Sequence, residues 1–211
     1  MPTNNIAPNG LVFSRNRRAS SPTYQSNRYK IRKGFASNIG RGDLVSTGTG
    51  ANQGYVVPAA ANPANILGVF DSVLPYFDLT LQALSNGLNG AYPSSANAQN
   101  DVDCIIIDDP DAVFRAQVQN GQWAQNWRGA NINFVAATNG VPNISGISTL
   151  ILDGTTVANT PGLPFRIQQL VDVSPSGNIS AGGSTDPVII NPFIEVCLNF
   201  GLSEQQQATG I

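Results

Sequence analysis

Five aspartates crowd between positions 101 and 111: Asp101, Asp103, Asp108, Asp109 and Asp111. Carboxylates at that density could ligate calcium. They lack the alternating Asp-x-Asp-x-Asp-Gly pattern with its closing Glu, and they straddle an apolar run that reads as a strand. Asp108-Asp109-Pro110-Asp111 reads instead as turn chemistry. Ile105 to Asp109 also imitates the Walker B strand of a nucleotide hydrolase, but no Gly-x-x-x-x-Gly-Lys-Ser/Thr loop precedes it. Arg41-Gly42-Asp43 spells an integrin-binding triplet, and the same residues are ordinary turn chemistry leading into a strand. Asn143-Ile144-Ser145 and Asn178-Ile179-Ser180 fit the N-glycosylation pattern, in a chain rich enough in Asn and Ser to produce it by chance. Trp123 and Trp127, with Gln122, Gln125 and Asn126 around them, could form a sugar platform. Packing in a core or interface is the competing reading.

Other chemistries lack their parts. The sequence has no histidine, so it can build no Ser-His-Asp triad, no Cys-His dyad and no histidine-ligated metal. Its two cysteines, Cys104 and Cys197, cannot complete a zinc site and are expected as free thiols in or beside the core. Nothing marks a glycosidase carboxylate pair. We therefore expect no catalytic, cofactor-binding or metal-ligating residues, no cofactor, and no enzyme. No apolar run approaches the roughly 20 residues of a membrane helix. Ile6 to Phe13 is broken by Pro8, Asn9 and Gly10, so no signal-peptide core is expected.

Charge is sparse and unevenly placed. Only 11% of the 211 residues are charged, while 41% are hydrophobic, enough to bury a core. Eight of the 11 basic residues lie in positions 1–41: Arg15, Arg17, Arg18, Arg28, Lys30, Arg32, Lys33 and Arg41. All 13 acids follow them. This pattern predicts a basic arm on an acidic body. The arm is poor in apolar alternation, so it is expected to order only against something else. Nucleic acid is disfavoured, because the arm lacks dense basic runs and the acidic body would repel a polyanion. An acidic protein surface, or the acidic body of a neighbouring copy, fits better; a solvated tail with no partner is the plain alternative.

The body that would position these groups reads as short strands separated by turns. Alternation or apolar runs mark Tyr29–Arg32, Asp43–Val45, Gly54–Val57, Ile66–Phe70, Val102–Ile107, Phe114–Val118, Ile132–Ala136, Ser148–Leu152, Phe165–Val171 and Val188–Phe200. Val102–Ile107 is apolar enough for burial on both faces, and the Asp-Pro turn after it suggests a hairpin with the next strand. Pro192 suggests an edge, a bulge or two short strands. Leu79, Leu81, Leu84 and Leu88 have helical spacing, although 76–90 also reads as strand and loop. The expected class is all-β: a small β-barrel or β-sandwich body with an extended N-terminal arm and at most one or two short helices. The expected division is an arm over 1–27, a body over 28–202 and a C-terminal tail over 203–211. Deleting 1–27 is expected to leave the body folded.

The order of these pieces resembles the head decoration, or capsid cement, proteins of tailed bacteriophages. Ser21-Pro22 through Asn27-Arg28-Tyr29-Lys30-Ile31 is similar to that family's arm and first strand. Gly34 to Ile39, Gly42-Asp43-Leu44-Val45, Tyr55 to Ala60 and Ile66-Leu67-Gly68-Val69-Phe70 follow in the family's order. Ile107 to Phe114 resembles its Asp-Asp-Pro-x-x-x-Phe turn, and Leu163-Pro164-Phe165-Arg166-Ile167 its penultimate strand, ahead of a last strand over Val188 to Asn199. Residues 75–100 and the Ser/Gly-rich 172–187 loop depart from it. The resemblance implies a structural virion protein on the outer capsid surface, made in the host cytoplasm, that braces neighbouring major capsid subunits. It implies the major capsid protein and further copies of itself, as a homotrimer at threefold positions, as partners. It implies no nucleic acid or membrane partner, and makes the eight basic residues the capsid-binding arm. A head-fibre base or carbohydrate-binding adhesin is the alternative.

Overall fold

The computed structural model describes residues 9–18, 23–61, 63, 65–87, 89–121, 123–135, 146–172, 179–180, 188–189 and 192–199. Period-two alternation, turn residues every few positions and few charged residues make this a β protein. Its only helical elements among the described residues are two 3-10 turns, Gly50–Asn52 and Gln125–Trp127. No helix of the described residues is long and apolar enough to cross a membrane.

Five strands close into a barrel: β9 (Ala112–Gln119), β10 (Asn131–Val135), β11 (Ile151–Ala158), β12 (Phe165–Asp172) and β15 (Phe193–Leu198). Closure runs β9-β11-β10-β12-β15 and back to β9. Only the β9–β11 contact is parallel. Beside the barrel lies a five-stranded sheet in the order β2 (Ser26–Ile31), β8 (Val102–Ile107), β5 (Gly68–Val73), β3 (Leu44–Thr47), β4 (Val56–Pro58). Two small hairpins complete the fold. One pairs β6 (Tyr76–Asp78) with β7 (Ala83–Ser85), and the other β13 (Ile179–Ser180) with β14 (Val188–Ile189).

The two sheets share a core. Successive residues of a strand face opposite ways, so Leu44, Val69 and Ile107 point into the barrel core with Phe114, Ile132, Leu152 and Phe165. Their neighbours Val45, Phe70 and Ile106 point into a second core with Ile31, Val102, Cys104 and Tyr92. The all-β barrel with minimal helix matches the expected class.

Several local expectations are corrected. The 79–88 leucines form no helix: Leu79, Leu81 and Leu84 lie on or beside the β6–β7 hairpin, while Leu88 lies outside the described residues. Asp78 explains the choice. Its carboxylate accepts N–H bonds from Thr80 (2.8 Å), Leu81 (3.1 Å) and Asn97 (3.3 Å), closing a turn rather than capping a helix. Strands β8 and β9 are not a hairpin. The Asp108–Asp111 turn carries the chain from one sheet to the other, because β8 is already flanked by β2 and β5. β8 is also not sealed on both faces, since Asp103 and Ile105 are half-buried. Pro192 separates β14 from β15, the two-strand outcome.

The stretch read as an arm contributes to the body. Val12–Asn16 form β1, antiparallel to β9 on the edge that β11 occupies further along. Leu11 is buried in the barrel core and Phe13 packs against it. Ser26 and Asn27 open β2 opposite Ile107 and Ile106. Residues 1–8, Ser21-Pro22 and the 203–211 tail lie outside the described residues, as do the Asn143 and Asn178 sequons' asparagines.

Candidate functional site

The eight basic residues of the first 41 positions are the candidate binding surface, and the structure gives nearly all of them an acidic or carbonyl partner within the same chain. Strand β1 lies across β9 from β15 and leads to the Asp108–Asp111 turn. Arg15 Nε lies 2.9 Å from Glu195 Oε2, with Ser14 Oγ at 2.6 Å from Oε1 and Gln169 Nε2 at 2.9 Å from Oε2. Arg17 donates to Asp111 Oδ1 (2.9 Å) and to the Pro110 carbonyl (3.1 Å), and Arg18 reaches Asp111 Oδ2 at 3.0 Å. From β2, Arg28 and Lys30 bracket Asp103 at 2.6 and 3.3 Å. Arg32 donates to the Ala51 carbonyl at 2.8 Å, and Lys33 gives its backbone N–H to Asp101 at 3.0 Å. Arg41 lies 3.4 Å from Asp71.

The aspartate cluster is consumed the same way. Asp109 accepts from Asn16 (2.7 Å), the Gln25 N–H (3.2 Å) and the Asp111 N–H (2.8 Å). Asp108 accepts from Asn27 (2.8 Å) and the Tyr29 hydroxyl (2.7 Å). These carboxylates fasten the N-terminal strands to the junction between sheets. Among the described residues, no group of three or more His, Cys, Asp or Glu is placed to hold a metal ion.

Exposure decides what each pair is worth. Arg18, Arg28, Lys30 and Arg41 are each more than half exposed, so their ion pairs contribute at most about 1 kcal/mol apiece. Their guanidinium and ammonium groups stay open to solvent. Glu195 differs, with 6% side-chain exposure against 41% for Arg15. A carboxylate so enclosed depends on its three donors.

Burial acts to raise the Asp103 pKa, but the hydrogen bonds from Arg28 and Lys30 outweigh it and hold the carboxyl below 3.8. The Lys33 N–H holds Asp101 down too, assisted by the Tyr55 hydroxyl. A depressed folded-state pKa gives stability that is present above the unfolded value and lost as pH falls through the folded one. Thermal melts should therefore show a drop in stability as pH falls below about 3.8, and Asp103→Asn should make that drop shallower. An acid limb of unchanged depth in Asp103→Asn would refute the assignment. Asp43 works in the opposite sense: burial raises its pKa, so its ionisation opposes folding as pH rises through the raised value.

The Arg41-Gly42-Asp43 triplet is a structural turn. The Asp43 carboxylate accepts from the Ser148 hydroxyl and, at 2.6 Å, from the Gly40 N–H. Gly42 has φ +88°, and a Cβ there would sit 2.8 Å from the Leu11 nitrogen. Its carbonyl accepts the Leu11 N–H at 2.9 Å, anchoring the chain that enters β1. Gly42→Ala should cost about 1–3 kcal/mol in a denaturant titration through backbone strain alone. Arg41→Ala should stay within about 0.5 kcal/mol of wild type.

The tryptophan pair is no sugar platform. Trp127 is buried in the barrel core, and Trp123 packs edge-on against it with ring centroids 5.9 Å apart. Both cysteines are free and buried. Burial pushes the Cys104 thiol up to about 12 and raises Cys197 as well, so neither is a thiolate nucleophile at neutral pH.

A second surface was missed by sequence reasoning. Phe77, Leu79, Leu81 and Leu84 are exposed on the β6–β7 hairpin. The available signal was charge: from Ser72 to Asn100 only Asp78 is charged, and it is buried. Comparison with protein-family models, curated proteins and solved structures returns no match to this chain.

Proposed function

We propose that this chain is a structural virion protein that binds the outer surface of a tailed-phage capsid and cements neighbouring major capsid subunits, working without catalysis or cofactor. The observation that carries the reading is where the family-like blocks lie. Gly42-Asp43-Leu44-Val45 and Ile66-Leu67-Gly68-Val69-Phe70 supply β3 and β5, which pair with each other. The Asp-Asp-Pro block is the junction between sheet and barrel, and Leu163 to Ile167 opens β12 against β15. Blocks that resemble one family thus occupy interlocking positions of one framework, which is what a shared architecture requires.

The chemistry also suits a brace. Arg18, Arg28, Lys30 and Arg41 are anchored by one acid each yet remain more than half exposed, so their charges stay accessible to an acidic shell. Many copies of a weak contact then hold strongly. The partners in this reading are the major capsid protein and further copies of this chain, as a homotrimer at threefold positions. Co-sedimentation of the purified protein with capsids lacking decoration, followed by particle imaging, tests it. Saturable binding on the outer surface, weakened by salt and followed by greater resistance of the shells to heat, is the expected result. No binding to such capsids at low salt would overturn it.

A further inference from the structure

We propose that a pocket between the β6–β7 hairpin and the Pro93–Ala96 turn binds a neutral, polyhydroxylated ligand of the sugar class. The pocket has a volume of about 590 Å³, inside the range of about 300–1,000 Å³ usual for small-molecule sites. Its walls are fixed before any ligand arrives. The Leu79 N–H donates to the Asn97 carbonyl (2.8 Å) and the Gln99 N–H to the Phe77 carbonyl (3.0 Å), which ties β6 to the segment after the turn. The turn itself is closed by the Ala96 N–H on the Pro93 carbonyl at 3.0 Å, and the Asn38 side chain accepts the Ser94 N–H at 2.7 Å. A site held in this way gives up little freedom on binding.

The chemistry of the walls selects the ligand. Asp78 lines the pocket, is 5% exposed and is the only charged residue from Ser72 to Asn100. Among the described residues no Lys or Arg lines the pocket, so a carboxylate or phosphate would meet Asp78 with no cation to offset it. A calcium ion, which needs about six oxygen ligands, would find one carboxylate already accepting three N–H bonds. A neutral hydroxyl fits what is left. A carboxylate has about four acceptor sites. Thr80 and Leu81 share Oδ1, whereas Oδ2 takes only the long 3.3 Å bond from Asn97. A ligand O–H on Oδ2 makes a charge-assisted bond. Further hydroxyls stand around it: Thr80, whose Oγ1 accepts from Asn97 at 3.2 Å, and the exposed Ser94 and Ser95. Burial raises the Tyr76 pKa, so its hydroxyl stays protonated and bonded to Ser85. The Tyr76 ring, Leu81 and Pro93 add apolar surface to the same pocket. Oxygens for O–H groups beside aromatic and aliphatic surface for a C–H face match the two sides of a sugar ring. The inference does not rest on the capsid reading.

Titration of the full, isotopically labelled chain with D-glucose, D-galactose, D-mannose and N-acetyl-D-glucosamine, followed by amide chemical shifts, tests it. No capsid is present, so the outcome is separate from that of the cement reading. At least one of these sugars should give saturable shifts centred on Asp78–Leu81, Ser85 and Ser94–Ala96. Asp78→Asn should weaken that sugar roughly tenfold or more, because the acceptor loses its charge. Ser95→Trp fills the pocket from an exposed position and should abolish binding; it decides the matter should Asp78→Asn disturb the hairpin. D-Glucuronate should not bind, and D-glucosamine should bind no better than its N-acetyl form. No saturable shift with any of the neutral sugars, shifts centred elsewhere, or unaltered affinity in Ser95→Trp or in a folded Asp78→Asn would overturn the proposal. So would binding of glucuronate, or a preference for glucosamine, which would make this a site for charged ligands.

Discussion

Deleting residues 1–18 should lower the melting temperature by roughly 10–20 °C, at the about 2–4 °C per kcal/mol usual for a chain of this length. The reason is that β1 completes the barrel edge. Without it, β9 keeps β15 on one edge but loses its partner on the other over Ala112–Arg115, and the barrel core loses Leu11 and the cover of Phe13. Burying a leucine alone is worth about 1.5–3 kcal/mol. Glu195 would also lose Ser14 and Arg15, keeping the Gln169 amide in an almost closed site. Leu11→Ala should reproduce part of the loss, about 2–5 kcal/mol by chemical denaturation. A truncated chain that melts with wild type would show that β1 is dispensable, which is what the reading of 1–27 as a separable arm expects.

Phe114→Ala should be among the most damaging single substitutions, at about 3–5 kcal/mol. Phe114 is fully buried on β9, opposite Phe13 of β1 and Val196 of β15. Its ring meets that of Phe13 edge-on, with centroids 6.4 Å apart. The cavity left behind would be walled by strands that closure prevents from collapsing inward. A double-mutant cycle with Phe13→Ala should return a coupling of about 0.5–1.5 kcal/mol, the usual worth of an aromatic pair. Additive effects would mean that β1 packs on the barrel without sharing its core.

Truncation bears on function as well. If residues 9–18 belong to the body, loss of capsid binding in a truncated chain could reflect unfolding rather than a lost contact. Substitutions at Arg28 and Lys30 are cleaner probes of a basic binding face. Both are exposed, and removing either leaves their shared acid, Asp103, the other as partner.

Most strands were legible because their signal is local. The apolar run at Val102–Ile107 and the alternation at Phe114–Val118 each declare a strand without reference to the rest of the chain. The hairpin expected between them was not legible. Turn chemistry at Asp108–Asp111 says that the chain changes direction, not which strand it meets next. The leucines of 79–84 left helix and strand-and-loop both open for a related reason, and the second is what forms. Helical spacing describes one face of a helix, but the carboxylate of Asp78 captures the following N–H groups and closes a hairpin instead. The tryptophan pair was ambiguous in sequence, because four-residue spacing does not report burial.

The sequence by itself determined the all-β class, the position of most strands, the lack of histidine chemistry and the split between a basic beginning and an acidic remainder. These depend on composition and on periods of two residues. Only the tertiary structure decided that the barrel closes, that β1 belongs to it, and that the basic residues find acids within their own chain. The physical reason is distance along the chain. Ser14 and Glu195 are 181 positions apart, and a pair so separated is chosen by strand order and register, which no local pattern encodes.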